Sequence, residues 1–132
     1  MYSLKDDNYW RSQLDAETFR VTRQSGTEHP FTGKYLNHTA AGSYNCVCCN
    51  TPLFTDQNKF HSGCGWPAFF DCIDPDRILF IEDNSHGMQR VEIKCANCDS
   101  HLGHIFDDGP QPTGKRFCVN SVSLDFSPEV KK

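Results

Sequence analysis

Two short cysteine pairs constrain this chain more than anything else in it. "NCVCCN" contains Cys46-x-x-Cys49 and "KCANCD" contains Cys95-x-x-Cys98, with residues 50 to 94 between them. A CxxC turn places two sulfurs where one tetrahedral ion can take both, and a second such turn completes the shell. Four thiolates leave no open position for chemistry, so the reading is a structural zinc, although the same shell would suit iron. A thioredoxin-like CxxC belongs at a strand-to-helix turn of a βαβ unit, and no such unit is legible here. The metal must therefore tie distant stretches of one fold together. Its contribution, on the order of 10 kcal/mol in small zinc domains, rivals the net stability of a typical domain.

The remaining bulk properties narrow the setting. A chain of 132 residues is long enough for one core and short for two, so a single domain over 1–132 is expected. Eight cysteines make up about 6% of the chain, below the roughly 8–10% that marks a disulfide scaffold. The start "MYSLKDDNYW" has no apolar run, and no stretch reaches the roughly 20 apolar residues of a membrane span. The expectation is a cytoplasmic protein with reduced thiols and no membrane partner. A net charge of −4 without a basic run argues against nucleic acid. No apolar heptad repeats, so a monomer is expected rather than a coiled-coil dimer.

Local patterns predict a mainly β fold behind two short helices. One helix is expected around "DNYWRSQL" and a second through "AETFRVTRQ", capped by Asp15 and stopped near Gly26. Residues 26 to 42 are rich in turn formers and read as loop. "RILFIED" is a strand-length apolar run, and "MQRVEIKC" alternates, with Val91, Ile93 and Cys95 on one side. "NSHG" between them suits a hairpin. "RFCVNSVSLDF" reads as a last strand, with Arg116, Cys118 and Asn120 sharing a face with Val122, Leu124 and Phe126. The expected architecture is two antiparallel β-sheets, as a sandwich or small barrel, carrying the four-cysteine zinc site.

The cysteines left over carry the candidate chemistry. Cys48 and Cys72 read as small buried hydrophobes. Cys118 lies beside Arg116, which would lower its pKa, and near Asn120, which could position a substrate or water. His101 and His104 in "SHLGHIFDDGP" suit acid–base or substrate-orienting work, since the cysteines already saturate one metal. Cys64 sits between two glycines in "SGCGWPAFF", and Trp66 offers a flat apolar wall for a methyl group or soft sulfur. A strand-borne and a loop-borne cysteine together suggest a nucleophile and a resolving partner.

"GTEHPFTGKY", "KFHSGCGWPAFF", "EDNSHGMQRVEIKCANCDSHLGHIFDDGP" and "GKRFCVNSVSL" resemble the methionine sulfoxide reductase B family, peptide-methionine (R)-S-oxide reductases, from about residue 10 to residue 126. The resemblance implies two antiparallel sheets and a zinc on Cys46, Cys49, Cys95 and Cys98. It implies Cys118 as nucleophile, Cys64 as the resolving thiol, and Trp66, His101, His104, Asn120, Arg116 and Phe117 around the substrate. It also implies reduction of the R epimer of methionine sulfoxide in peptides or proteins, with thioredoxin as reductant. Cys48 and Cys72 fall outside that pattern.

Two other classes share parts of this pattern. A cysteine hydrolase would use Cys118, a histidine and Asn120, but has no use for a second reactive thiol. A non-catalytic, zinc-clipped β-domain binding a ligand or partner would keep the CxxC pairs and not need a reactive Cys118.

Overall fold

The computed structural model describes residues 7–84, 87 and 89–128. Two helices lead the chain, α1 over Asp7–Gln13 and α2 over Ala16–Arg23. Asp15 caps α2 by accepting a hydrogen bond from the Thr18 N–H at 2.7 Å, which satisfies one of the donors every helix start leaves free. Thr18, Phe19, Val21 and Thr22 form its buried face. The helix ends at Gln24, two residues before the expected glycine, and the Gly26 N–H closes the turn on the Arg20 carbonyl. Residues 26 to 41 then run without helix or strand, as expected.

Among the described residues nine strands follow: β1 Gly42–Cys46, β2 Pro52–Thr55, β3 Lys59–Phe60, β4 Ala68–Phe69, β5 Ile78–Asp83, β6 Arg90–Cys95, β7 His101–Phe106, β8 Arg116–Val119 and β9 Leu124–Pro128. They form two antiparallel sheets, one ordered β2-β1-β9 and the other β3-β4-β8-β7-β6-β5. The β5–β6 pairing expected from alternation is present, with Asp83 opposite Arg90. Ser85 and His86 of the expected hairpin loop, and Met88 at the start of the expected strand after it, lie outside the described residues.

Alternation fills the space between the sheets. Tyr44, Leu53 and Phe54 come from the smaller sheet, and Phe69, Ile93, Phe117 and Val119 from the larger, all buried in one cluster. Phe54 stacks on Phe69 with centroids 4.3 Å apart and meets Phe117 edge-on at 5.6 Å. Each such ring contributes about 1.5–3 kcal/mol by leaving water.

The expected final strand is broken in two. β8 stops at Val119, residues Ser121–Ser123 make a 3-10 turn, and β9 joins the other sheet. Polar side chains and backbone groups hold the break: the Asn120 N–H and side-chain amide both donate to the Leu102 carbonyl, and the Ser123 hydroxyl donates to the His101 carbonyl. Leu102 and His101 belong to β7, so the break stays tied to the strand that β8 pairs with. Arg116 and Cys118 therefore do not share a face with Leu124 and Phe126.

Candidate active site

The four paired cysteines converge. Their sulfurs all lie within 4.8 Å of one another, with Cys46 3.5 Å from Cys98 and Cys49 3.5 Å from Cys95. Four thiolates around a tetrahedral ion with metal–sulfur bonds of about 2.3 Å stand about 3.8 Å apart, so the donor set fits a metal of that kind. The two turns repeat one geometry. In each, the N–H four residues after the first cysteine returns to that cysteine's carbonyl, Asn50 to Cys46 at 2.7 Å and Asp99 to Cys95 at 2.8 Å. Asn50 and Asp99 carry the left-handed backbone this needs, at φ of 66° and 67°, which Asn and Asp tolerate better than other side chains. Cys46 ends a strand of the small sheet and Cys95 a strand of the large one, so the cluster bridges the two. Cys48 packs on the core edge outside this set of four.

A separate cleft opens over β7 and β8. Cys118, His104, Asn120 and Trp66 line it, together with Thr27, Arg90 and Phe106. Strand pairing places Cys118 between Ala68 of β4 and His104 of β7, which puts the thiol and an imidazole on one face. Cys64 comes from the loop before β4, and its sulfur lies 3.6 Å from that of Cys118. Gly63 and Gly65 flank it with φ of 76° and 97°, a conformation most side chains avoid. The Cys64 sulfur also lies 3.3 Å from the Trp66 carbonyl oxygen.

Two sulfurs this close share a proton. The Cys64 thiol is drawn down to about 5, first by the hydrogen bond from Cys118 and further by Ser62, against the cost of burial. Cys118 is pushed up by that same contact and by burial, and Arg116 offsets this only in part. Arg116 alone thus does not make Cys118 the acidic member, contrary to expectation. Its guanidinium is engaged by Asp108 at 2.8 and 3.2 Å and lies over the Phe106 ring at 4.4 Å.

The two histidines have different surroundings. His104 reaches the cleft while its Nε2 lies 2.8 Å from Asp83 Oδ2. His101 is buried, with Nδ1 2.6 Å from Glu92 Oε2. Burial lowers the His101 pKa despite that carboxylate. Phe117 does not reach the cleft. Alternation along β8 turns it away from Cys118 into the core against Phe54. Thr27, Arg90, Phe106, Asp83 and Glu92 were not singled out from the sequence. Asp83 and Glu92 have no local signal, because strand pairing brings each to its histidine.

A SelR domain model matches residues 14–128. The chain is 56% identical over 128 residues to a protein of Teredinibacter turnerae named Peptide methionine sulfoxide reductase MsrB, covering 97% of this chain and 95% of that one. Proteins of the same name from a Synechococcus species and from Hahella chejuensis are 58% and 59% identical over 120 and 122 residues, covering 91% and 92% of this chain and 88% of each of theirs.

Proposed function

Because the chain belongs to the peptide methionine sulfoxide reductase MsrB family and is an oxidoreductase of that type, we propose that it reduces the R epimer of methionine sulfoxide with Cys118 as nucleophile and Cys64 as resolving thiol. One observation carries this reading. Of two sulfurs 3.6 Å apart, Cys118 is the one that lines the cleft with His104 and Trp66.

Atoms and protons balance through the cycle. The Cys118 proton passes to the Cys64 thiolate as the Cys118 sulfur attacks the sulfoxide sulfur. His104, held by Asp83, protonates the sulfoxide oxygen as it passes from the methionine sulfur to the Cys118 sulfur. The methionine S–O bond and the transient S–S bond both break, and methionine leaves with Cys118 as sulfenic acid. Cys64 then attacks that sulfur, expels water and closes a Cys64–Cys118 disulfide. Thioredoxin returns the pair to the dithiol by exchange. The Trp66 ring holds the terminal methyl, so the chirality at sulfur decides whether oxygen points to His104. Zinc on the four paired cysteines serves the fold, since a shell of four thiolates is closed to substrate. The enzyme works as a monomer in the reducing cytosol.

The test is turnover of R and S epimers of a methionine-sulfoxide peptide with thioredoxin recycling. Wild type should reduce only R, Cys118→Ser neither, and Cys64→Ser should complete one turnover and then recycle slowly. Normal steady-state turnover by Cys64→Ser would assign resolution to another thiol. Inactivity of folded, metal-loaded wild type on both epimers would refute the proposal and favour a binding domain.

A further inference from the structure

Glu28 is a buried carboxylate that none of these steps uses. It is 3% exposed, and one of its oxygens, Oε2, has no hydrogen-bond partner among the described residues. Oε1 accepts the Val122 N–H at 3.1 Å, in the 3-10 turn that directly follows Asn120. The Glu28 backbone holds two cleft residues at once. Its N–H donates to Asn120 Oδ1 at 3.0 Å, and its carbonyl accepts the Trp66 indole N–H at 3.0 Å. Gly33 leaves room for the carboxylate: a Cβ there would stand well under 3.0 Å from both Oε2 and the Ser121 hydroxyl oxygen.

We propose that Glu28 is the positioning residue of the cleft, its carboxylate pinning a loop whose main chain orients the Asn120 amide and the Trp66 ring. Asn120 and Trp66 come from separate stretches of the chain, one after β8 and one before β4. Among the described residues, their side chains are hydrogen-bonded only to Glu28 and, for Asn120, to the Leu102 carbonyl. Releasing the carboxylate from Val122 frees the Glu28 main chain to drift and carries both side chains with it. Preorganised contacts lose far more from such a drift than the lost bond suggests. This positioning role presupposes the reductase reading of the cleft.

The experiment compares Glu28→Gln, Glu28→Asp and Gly33→Ala with wild type in the full, metal-loaded chain, on the R-sulfoxide peptide. Rates are taken per titratable Cys118, beside metal content, unfolding midpoint and tryptophan emission. Glu28→Gln keeps an oxygen for Val122 and should hold KM within about threefold. Glu28→Asp withdraws that oxygen by one methylene, and Gly33→Ala displaces it. Both should raise KM about tenfold and shift tryptophan emission while metal content stays at one per chain. Unchanged KM and emission in Glu28→Asp and Gly33→Ala would overturn the assignment. So would loss of metal and fold in all three variants together, which would make Glu28 a residue of the fold alone. Wild-type inactivity on both epimers, in contrast, would refute the reductase reading itself.

Discussion

The proton shared by Cys64 and Cys118 gives a measurable signature. The main cause of the low Cys64 value, about 5, is the hydrogen bond from Cys118. Cys118→Ala removes that donor and leaves the burial that raises Cys64. A thiol titrating at about 5 is about 99% thiolate at pH 7, while one at its ordinary 9.0 is about 1%. The sign follows directly: the native pair holds one negative charge from just above pH 5 upward, and the variant holds it only above the ordinary thiol range.

Alkylation rate is the obvious assay and a poor one. Intrinsic nucleophilicity falls with pKa at a slope of about 0.4–0.5, so a drop of about four units costs nearly 100-fold in reactivity per thiolate. The gain in thiolate fraction is of the same size, and the two cancel. Direct titration of thiolate by ultraviolet absorbance avoids this, as the difference between wild type and Cys118→Ala in metal-loaded protein. The difference should show one thiolate appearing near pH 5 in wild type and absent below neutrality in the variant. An unchanged acidic titration in Cys118→Ala would mean that Cys118 does not set the Cys64 value. The proton transfer proposed for the first step would then fail.

Gly103 lies between the two histidines and packs on the Cys118 backbone, where an added Cβ would stand well under 3.0 Å from the Cys118 carbonyl oxygen. Gly103→Ala must push β7 from β8, at a cost of about 1–3 kcal/mol. With a urea slope of about 2 kcal/mol/M, its midpoint should fall by about 1 M; a midpoint equal to wild type would contradict the register of these strands. Metal removal by a chelator, or Cys95→Ser, should release the bridge between the sheets at β1 and β6. The loss of about 10 kcal/mol is comparable to the whole stability of a domain. Near-ultraviolet circular dichroism should collapse, and a native spectrum in metal-free protein would show that the packed sheets hold without the cluster.

What could be read from the sequence was what is written locally or repeated. The metal shell needs only two copies of one turn, and both are visible as CxxC followed by Asn or Asp, residues suited to φ of 66° and 67°. Helix α2 is marked by Asp15, and β5 and β6 by apolar run and alternation. The final strand reads as continuous because no glycine or proline interrupts Asn120–Ser123, although the backbone turns there. Asn120 and Ser123 bond to Leu102 and His101 of β7, while β9 goes on to pair in the other sheet. Phe117 is misplaced for a related reason: proximity to Cys118 in the chain is the opposite of proximity on a pleated sheet. The carboxylates show the deeper limit. Pairing sets Glu92 opposite His104, yet Glu92 bonds His101, and His104 reaches past β6 to Asp83. A register irregularity between Ile93 and Lys94 accompanies this exchange. Which acid serves which histidine is thus decided by one irregularity in a ladder, and no motif of either strand encodes it. The same holds for Glu28, whose role depends on a turn 92 to 94 residues further along the chain. The candidate residues of the cleft, Cys118, His104, Asn120 and Trp66, were legible by type and spacing. Those that hold them in place were not, because their partners exist only after the chain has folded.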